Sequence, residues 1–79
     1  MMELKDFIKM FSLQFDETDE SEIKAETEFR QLDEWSSLIG LAVMTSIRKK
    51  CGVELDINDF KSVSTVSELF ELVNSKQKS

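Results

Sequence analysis

Ser36 and Ser37 stand side by side in "EWSSLIGLAVM", residues 34–44, directly ahead of an apolar helical run. A hydroxyl at a helix start can do two things. It can accept a hydrogen bond from a first-turn N–H group that has no partner within the helix. It can also be esterified, and a phosphate ester there is favoured by the free N–H groups and the positive end of the helix dipole. The dipole contributes about 0.3–1 kcal/mol at an exposed site. For a lone serine, capping is the ordinary reading. Two in succession allow a division of labour, with Ser36 as the cap and Ser37 projecting its hydroxyl from the first turn.

Other reactive chemistry is sparse. Histidine is absent, which excludes histidine-based acid–base catalysis and most zinc or copper sites. No nucleophile–base pair stands out, and 79 residues leave little room for a catalytic cleft. The chain is therefore expected not to be an enzyme. "DETDESE", residues 16–22, and "DINDFKSVSTVSE", residues 56–68, both present spaced oxygens. Each lacks the glycine and spacing of a calcium loop, so no metal site is expected. Cys51 is the only cysteine and cannot form an internal disulfide. With no signal peptide visible, a reducing cytoplasm is the expected compartment.

Ten Lys+Arg against 16 Asp+Glu give a net charge of -6. Such a surface argues against nucleic acid and suits a partner with a basic docking patch. The longest apolar stretch, Leu38 to Val43, is too short to cross a membrane.

These residues must be positioned by helices. The chain has no proline and only two glycines, Gly40 and Gly52, a composition without the turn residues of a sandwich or barrel. The length fits one small domain over residues 1–79. Leu4, Ile8, Phe11 and Phe15, broadened by Phe7, predict an amphipathic helix from about residue 3 to 15. The acidic run 16–22 opens a long loop to residue 35, with a helical turn expected near 21–26. Ile23, Phe29, Leu32 and Trp35 should pin that loop to the helices.

A second helix is expected over about 37–50. Gly52 should end it in the left-handed region, and Arg48, Lys49 and Lys50 complement the dipole in its last turn. "VELDINDF" reads as an extended connector, followed by a short helix over about 57–61 capped by Asp56. "TVSE", residues 65–68, is a capping box, with Thr65 and Glu68 as its reciprocal pair. Val66, Leu69, Phe70 and Val73 give the last helix its buried face. That helix should end near Asn74, with "SKQKS" as a frayed tail. The expected architecture is all-α: three longer helices and one short one in a small four-helix bundle with a long first loop.

On a helical wheel the second helix has an unusual surface. Gly40, Val43, Met44, Ile47 and Cys51 form its core face, with Leu41 at the edge, and Cys51 reads as a small buried hydrophobe. Leu38, Ala42, Thr45 and Lys49 fall opposite, flanked by Ile39 and Ser46. An apolar patch of Leu38, Ile39 and Ala42 beside the serines is either a docking surface or a seat for the long loop.

Residues 32–73, "LDEWSSLIGLAVMTSIRKKCGVELDINDFKSVSTVSELFELV", resemble an acyl carrier protein. The resemblance extends over about the whole chain, because the first helix and loop match in length and pattern. It implies a four-helix fold and a serine, in an Asp-Ser-Leu signature opening the second helix, that carries 4′-phosphopantetheine derived from coenzyme A. Here the signature falls on Ser36-Ser37-Leu38, and "GVEL" and the Thr-Val-Ser-Glu-Leu start of the last helix are in place. The resemblance therefore implies Ser37 as the attachment site. It implies acyl or related carboxylic groups carried as thioesters in fatty acid, lipid or secondary-metabolite biosynthesis. The implied partners are a phosphopantetheinyl transferase and acyl-transferring or acyl-modifying enzymes, served by a monomer that does not insert into membranes.

Two departures stand out. The family's aspartate before the serine is Ser36 here, and its acidic second helix is replaced by Leu38, Ile39, Ala42, Thr45 and Arg48 as the expected docking positions. These favour a more apolar, less acidic contact with partners. The Ser36 replacement also favours the alternative of a carrier-like adaptor that has lost the arm and acts only by protein–protein interaction.

Overall fold

The computed structural model describes residues 3–77. Four α-helices follow in order: α1 (Leu4–Ser12), α2 (Ser37–Cys51), α3 (Ile57–Ser62) and α4 (Val66–Gln77). Two 3₁₀ turns, Glu20–Glu22 and Phe29–Gln31, interrupt the long first loop. No strand occurs among the described residues, and an isolated antiparallel bridge pairs Glu28 with Thr65. The all-helical expectation holds.

One apolar core unites the elements. Phe7, Phe11 and Phe29, with Val43, Ile47, Val66 and Leu69, are fully shielded from solvent. α1 buries Phe7, Met10 and Phe11, so its core face is turned slightly from the expected stripe: Leu4 and Ile8 are only half-buried, and Met10 joins Phe7 and Phe11. The helix stops at Ser12, three residues short of expectation. Two tighter turns follow, Gln14 N–H to Phe11 C=O at 3.2 Å and Phe15 N–H to Ser12 C=O at 3.1 Å. They deliver Phe15 to the core without further helix.

The first loop is held by its own carboxylates. Glu34 accepts the backbone N–H groups of Asp16, Glu17 and Thr18 and the Thr18 hydroxyl, at 2.7–3.1 Å. Asp19 and Glu22 close a capping box around the first 3₁₀ turn. That turn lies at 20–22, at the leading edge of the expected stretch, because Asp19 caps it there. Farther along, Ile23 and Phe29 are buried and Leu32 and Trp35 pack against the core, so all four pins hold. The loop's carbonyls then receive the first N–H groups of α4: Val66 donates to Thr27 at 3.1 Å and Ser67 to Ala25 at 2.8 Å.

The caps fall where the sequence marks them. Gly52 ends α2 at φ 70°, in the left-handed region. Asp56 and Asp59 form a reciprocal cap on α3. Thr65 Oγ1 accepts the Glu68 N–H and Glu68 accepts the Thr65 N–H, both at 3.1 Å. α4 runs past Asn74 to Gln77, whose side chain donates to the Cys51 carbonyl at 3.0 Å. Tertiary contact thus extends the helix through residues expected to fray. The final two residues of the expected tail lie outside the described residues.

Candidate functional site

α2 begins at the serine pair, and the two hydroxyls part company there. Ser36 is the N-cap, in extended backbone, and its Oγ accepts the Ile39 N–H at 3.3 Å. Ser37 is the first helical residue; it is exposed, and its hydroxyl has no partner among the described residues. The next apolar residue, Leu38, is also bare, at 76% exposure.

An open groove lies beside this hydroxyl. Ser36, Ser37, Gly40 and Met44 line it from α2, and Ile57, Phe60 and Lys61 line it from α3. Trp35 and Arg30 complete it from the loop. Its walls are mainly apolar. Arg30 and Lys61 bring positive charge and no carboxylate lines it. The Arg30 guanidinium donates to the carbonyls of Phe60 and Val63, tying the loop to the end of α3, and it stands 5.5 Å over the Phe29 ring. Sequence reading passed over Arg30 and Lys61, because a salient cation in a linear chain is indistinguishable from a solvated one.

The outer face of α2 differs from the wheel in detail. Leu41, expected at the core edge, is 56% exposed. Ile39 is half-buried and packs against the core, and Ala42 is also half-buried. Thr45 and Arg48 are exposed as expected. Met44 and Cys51, expected within the core face, reach only its margin. Part of the expected patch is therefore covered, whereas Leu38 stays open, with Leu41 exposed beside it. Ile57, 55% exposed, adds an apolar residue on α3 beside the groove. Burial pushes the Cys51 thiol above its ordinary value, so it remains protonated at neutral pH.

The chemistry available is limited. No group of three or more His, Cys, Asp or Glu among the described residues is placed to hold a metal ion. No described helix is long and apolar enough to cross a membrane. What the site offers is an unencumbered hydroxyl in the first turn of a helix, with an apolar groove beside it.

The chain matches the protein-family model described as "Phosphopantetheine attachment site" over residues 7–73, and it belongs to that family. Members bind 4′-phosphopantetheine covalently, act as non-catalytic carriers and interact with partner enzymes. No curated protein and no solved structure gave a significant match. The residues present fit the prosthetic group: Ser37 has a free exposed hydroxyl, and the neighbouring groove is open to solvent.

Proposed function

We propose that this chain is an acyl carrier protein, a single carrier domain whose Ser37 bears the 4′-phosphopantetheine arm. The observation that carries the reading is the split of the serine pair: Ser36 is engaged as the cap, whereas Ser37 faces solvent without a partner. When bound, the group supplies a flexible arm ending in a thiol, on which carboxylic groups ride as thioesters. The chain supplies the attachment oxygen, first-turn N–H groups that favour an anionic ester, and a surface for partner enzymes. The cargo belongs to fatty acid, lipid or secondary-metabolite biosynthesis. The protein works as a cytoplasmic monomer and catalyses no step itself.

Leu38, Ile39, Ala42, Thr45 and Arg48 form the proposed docking face on α2. α2 contains no acidic residue and carries Arg48, Lys49 and Lys50 at its end, which supports a contact built on apolar residues instead of carboxylates. Intact mass after co-expression with a phosphopantetheinyl transferase tests the central claim. A single added arm that is lost in Ser37→Ala is the expected result. An unmodified protein would leave the armless adaptor, and loss of the arm in Ser36→Ala alone would move the site by one residue.

A further inference from the structure

The groove beside Ser37 is floored by aromatic rings. Trp35 and Phe60 line it, with ring centroids 6.0 Å apart. Both rings also touch Phe29, at 5.1 and 6.0 Å respectively. Phe29 is fully buried and Phe60 nearly so. Beyond them, Trp35 lies almost parallel to Phe11 at 6.4 Å and contacts Phe15 at the same distance. On the α2 side, the indole lies against the helix at Gly40. A Cβ there would stand 3.4 Å from Trp35 Cζ2, at ordinary contact distance, so the ring rests close to the helix backbone. A chain passing from the groove toward Phe29, Phe11 and Phe15 would have to separate these rings. Interiors packed in this way yield poorly to insertion, and ring pairs lose both buried area and favourable geometry when parted.

We infer that the Trp35–Phe29–Phe60 floor closes the route from Ser37 into the helical interior, so that an acyl cargo stays in the surface groove. The inference rests on Ser37 being the attachment serine. It makes Trp35 a specificity-determining residue. Compact acyl groups find cover against Trp35, Met44, Ile57 and Phe60, whereas a long aliphatic tail runs on into water. The carrier is thereby suited to short or ring-bearing acyl groups and not to the growing chain of a long fatty acid.

The test is the melting temperature of the protein loaded through its arm with butanoyl, octanoyl or tetradecanoyl groups, each first verified by intact mass. The octanoyl and tetradecanoyl forms should melt within about 2 °C of each other. A tail buried in the core would gain with every methylene and raise the longer form by about 10 °C or more; that result overturns the closed floor. Trp35→Ala should melt lower when unloaded but acquire the chain-length dependence. Trp35→Leu serves the same purpose if the alanine variant does not fold. A folded variant that stays insensitive to length overturns the role given to Trp35. Absence of the arm in the mass measurement overturns the Ser37 assignment itself, before any melting curve is recorded.

Discussion

Ser36 and Ser37 share a side chain and differ only in backbone position. Ser36 lies before the helix, where its oxygen can turn back on the Ile39 N–H; Ser37 has helical backbone and directs its oxygen away. The 3.3 Å cap bond is long, so its contribution belongs at the low end of the capping range. Ser36→Ala should cost about 0.5–1 kcal/mol in urea denaturation while the arm still adds to the protein. Ser37→Ala should leave stability within about 0.5 kcal/mol of the parent, because no bond to that hydroxyl is lost. Equal destabilisation by the two substitutions would contradict this separation of roles.

At the scale of the element, α2 has two functional ends. Its N-terminus presents the attachment hydroxyl, and its C-terminus gathers Arg48, Lys49 and Lys50 before the Gly52 cap. Along its outer face, Leu38, Leu41, Thr45 and Arg48 lie exposed. Arg48 pairs with Glu54 at 3.8 Å, but both side chains are largely in water, so the pair contributes little to stability and leaves Arg48 available. Leu38→Asp and Leu41→Asp should each slow arm transfer by about fivefold or more, which corresponds to about 1 kcal/mol. Their melting temperatures should not fall, since neither residue is buried. Transfer rates unchanged in both variants would remove the apolar docking face. Ile39 is a poorer probe because it also packs against the core.

Across the whole molecule, carboxylates act as structural acceptors that tie the first loop and cap helix starts. Desolvation raises the Glu34 pKa, but hydrogen bonds from the Thr18 hydroxyl and three backbone N–H groups outweigh it, and the net value lies below the ordinary one. The Ser21 hydroxyl and backbone lower Asp19. The Ser64 and Thr65 N–H groups, helped by the Arg30 charge, lower Glu68. Each group has a depressed folded-state pKa, so its stabilisation is complete above the unfolded value and is lost as pH falls through the folded one. Melting temperature should therefore decline on acidification below the ordinary carboxylate range. Glu34→Gln should melt lower than the parent at neutral pH and converge with it as the pH falls through the depressed folded-state value of Glu34. Parallel curves across that range would show that Glu34 does not organise the loop.

The amino-acid sequence by itself determined where helices form and where their caps lie, and it allowed the split of the serine pair. These depend on residues within one or two turns of each other: Thr65 with Glu68, Asp56 ahead of Ile57, and Gly52 after a basic last turn. Apolar periodicity also marked Phe7, Phe11 and Val43 for the core. Only the tertiary structure decided how the loop is tied, because Glu34 reaches acceptor-seeking N–H groups some 16 to 18 residues earlier. It alone brought Trp35, Phe29 and Phe60 together as a floor. It alone carried α4 to Gln77 through a bond to Cys51, 26 residues away. Such contacts join segments distant along the chain. Their partners are selected by packing, which no local spacing encodes.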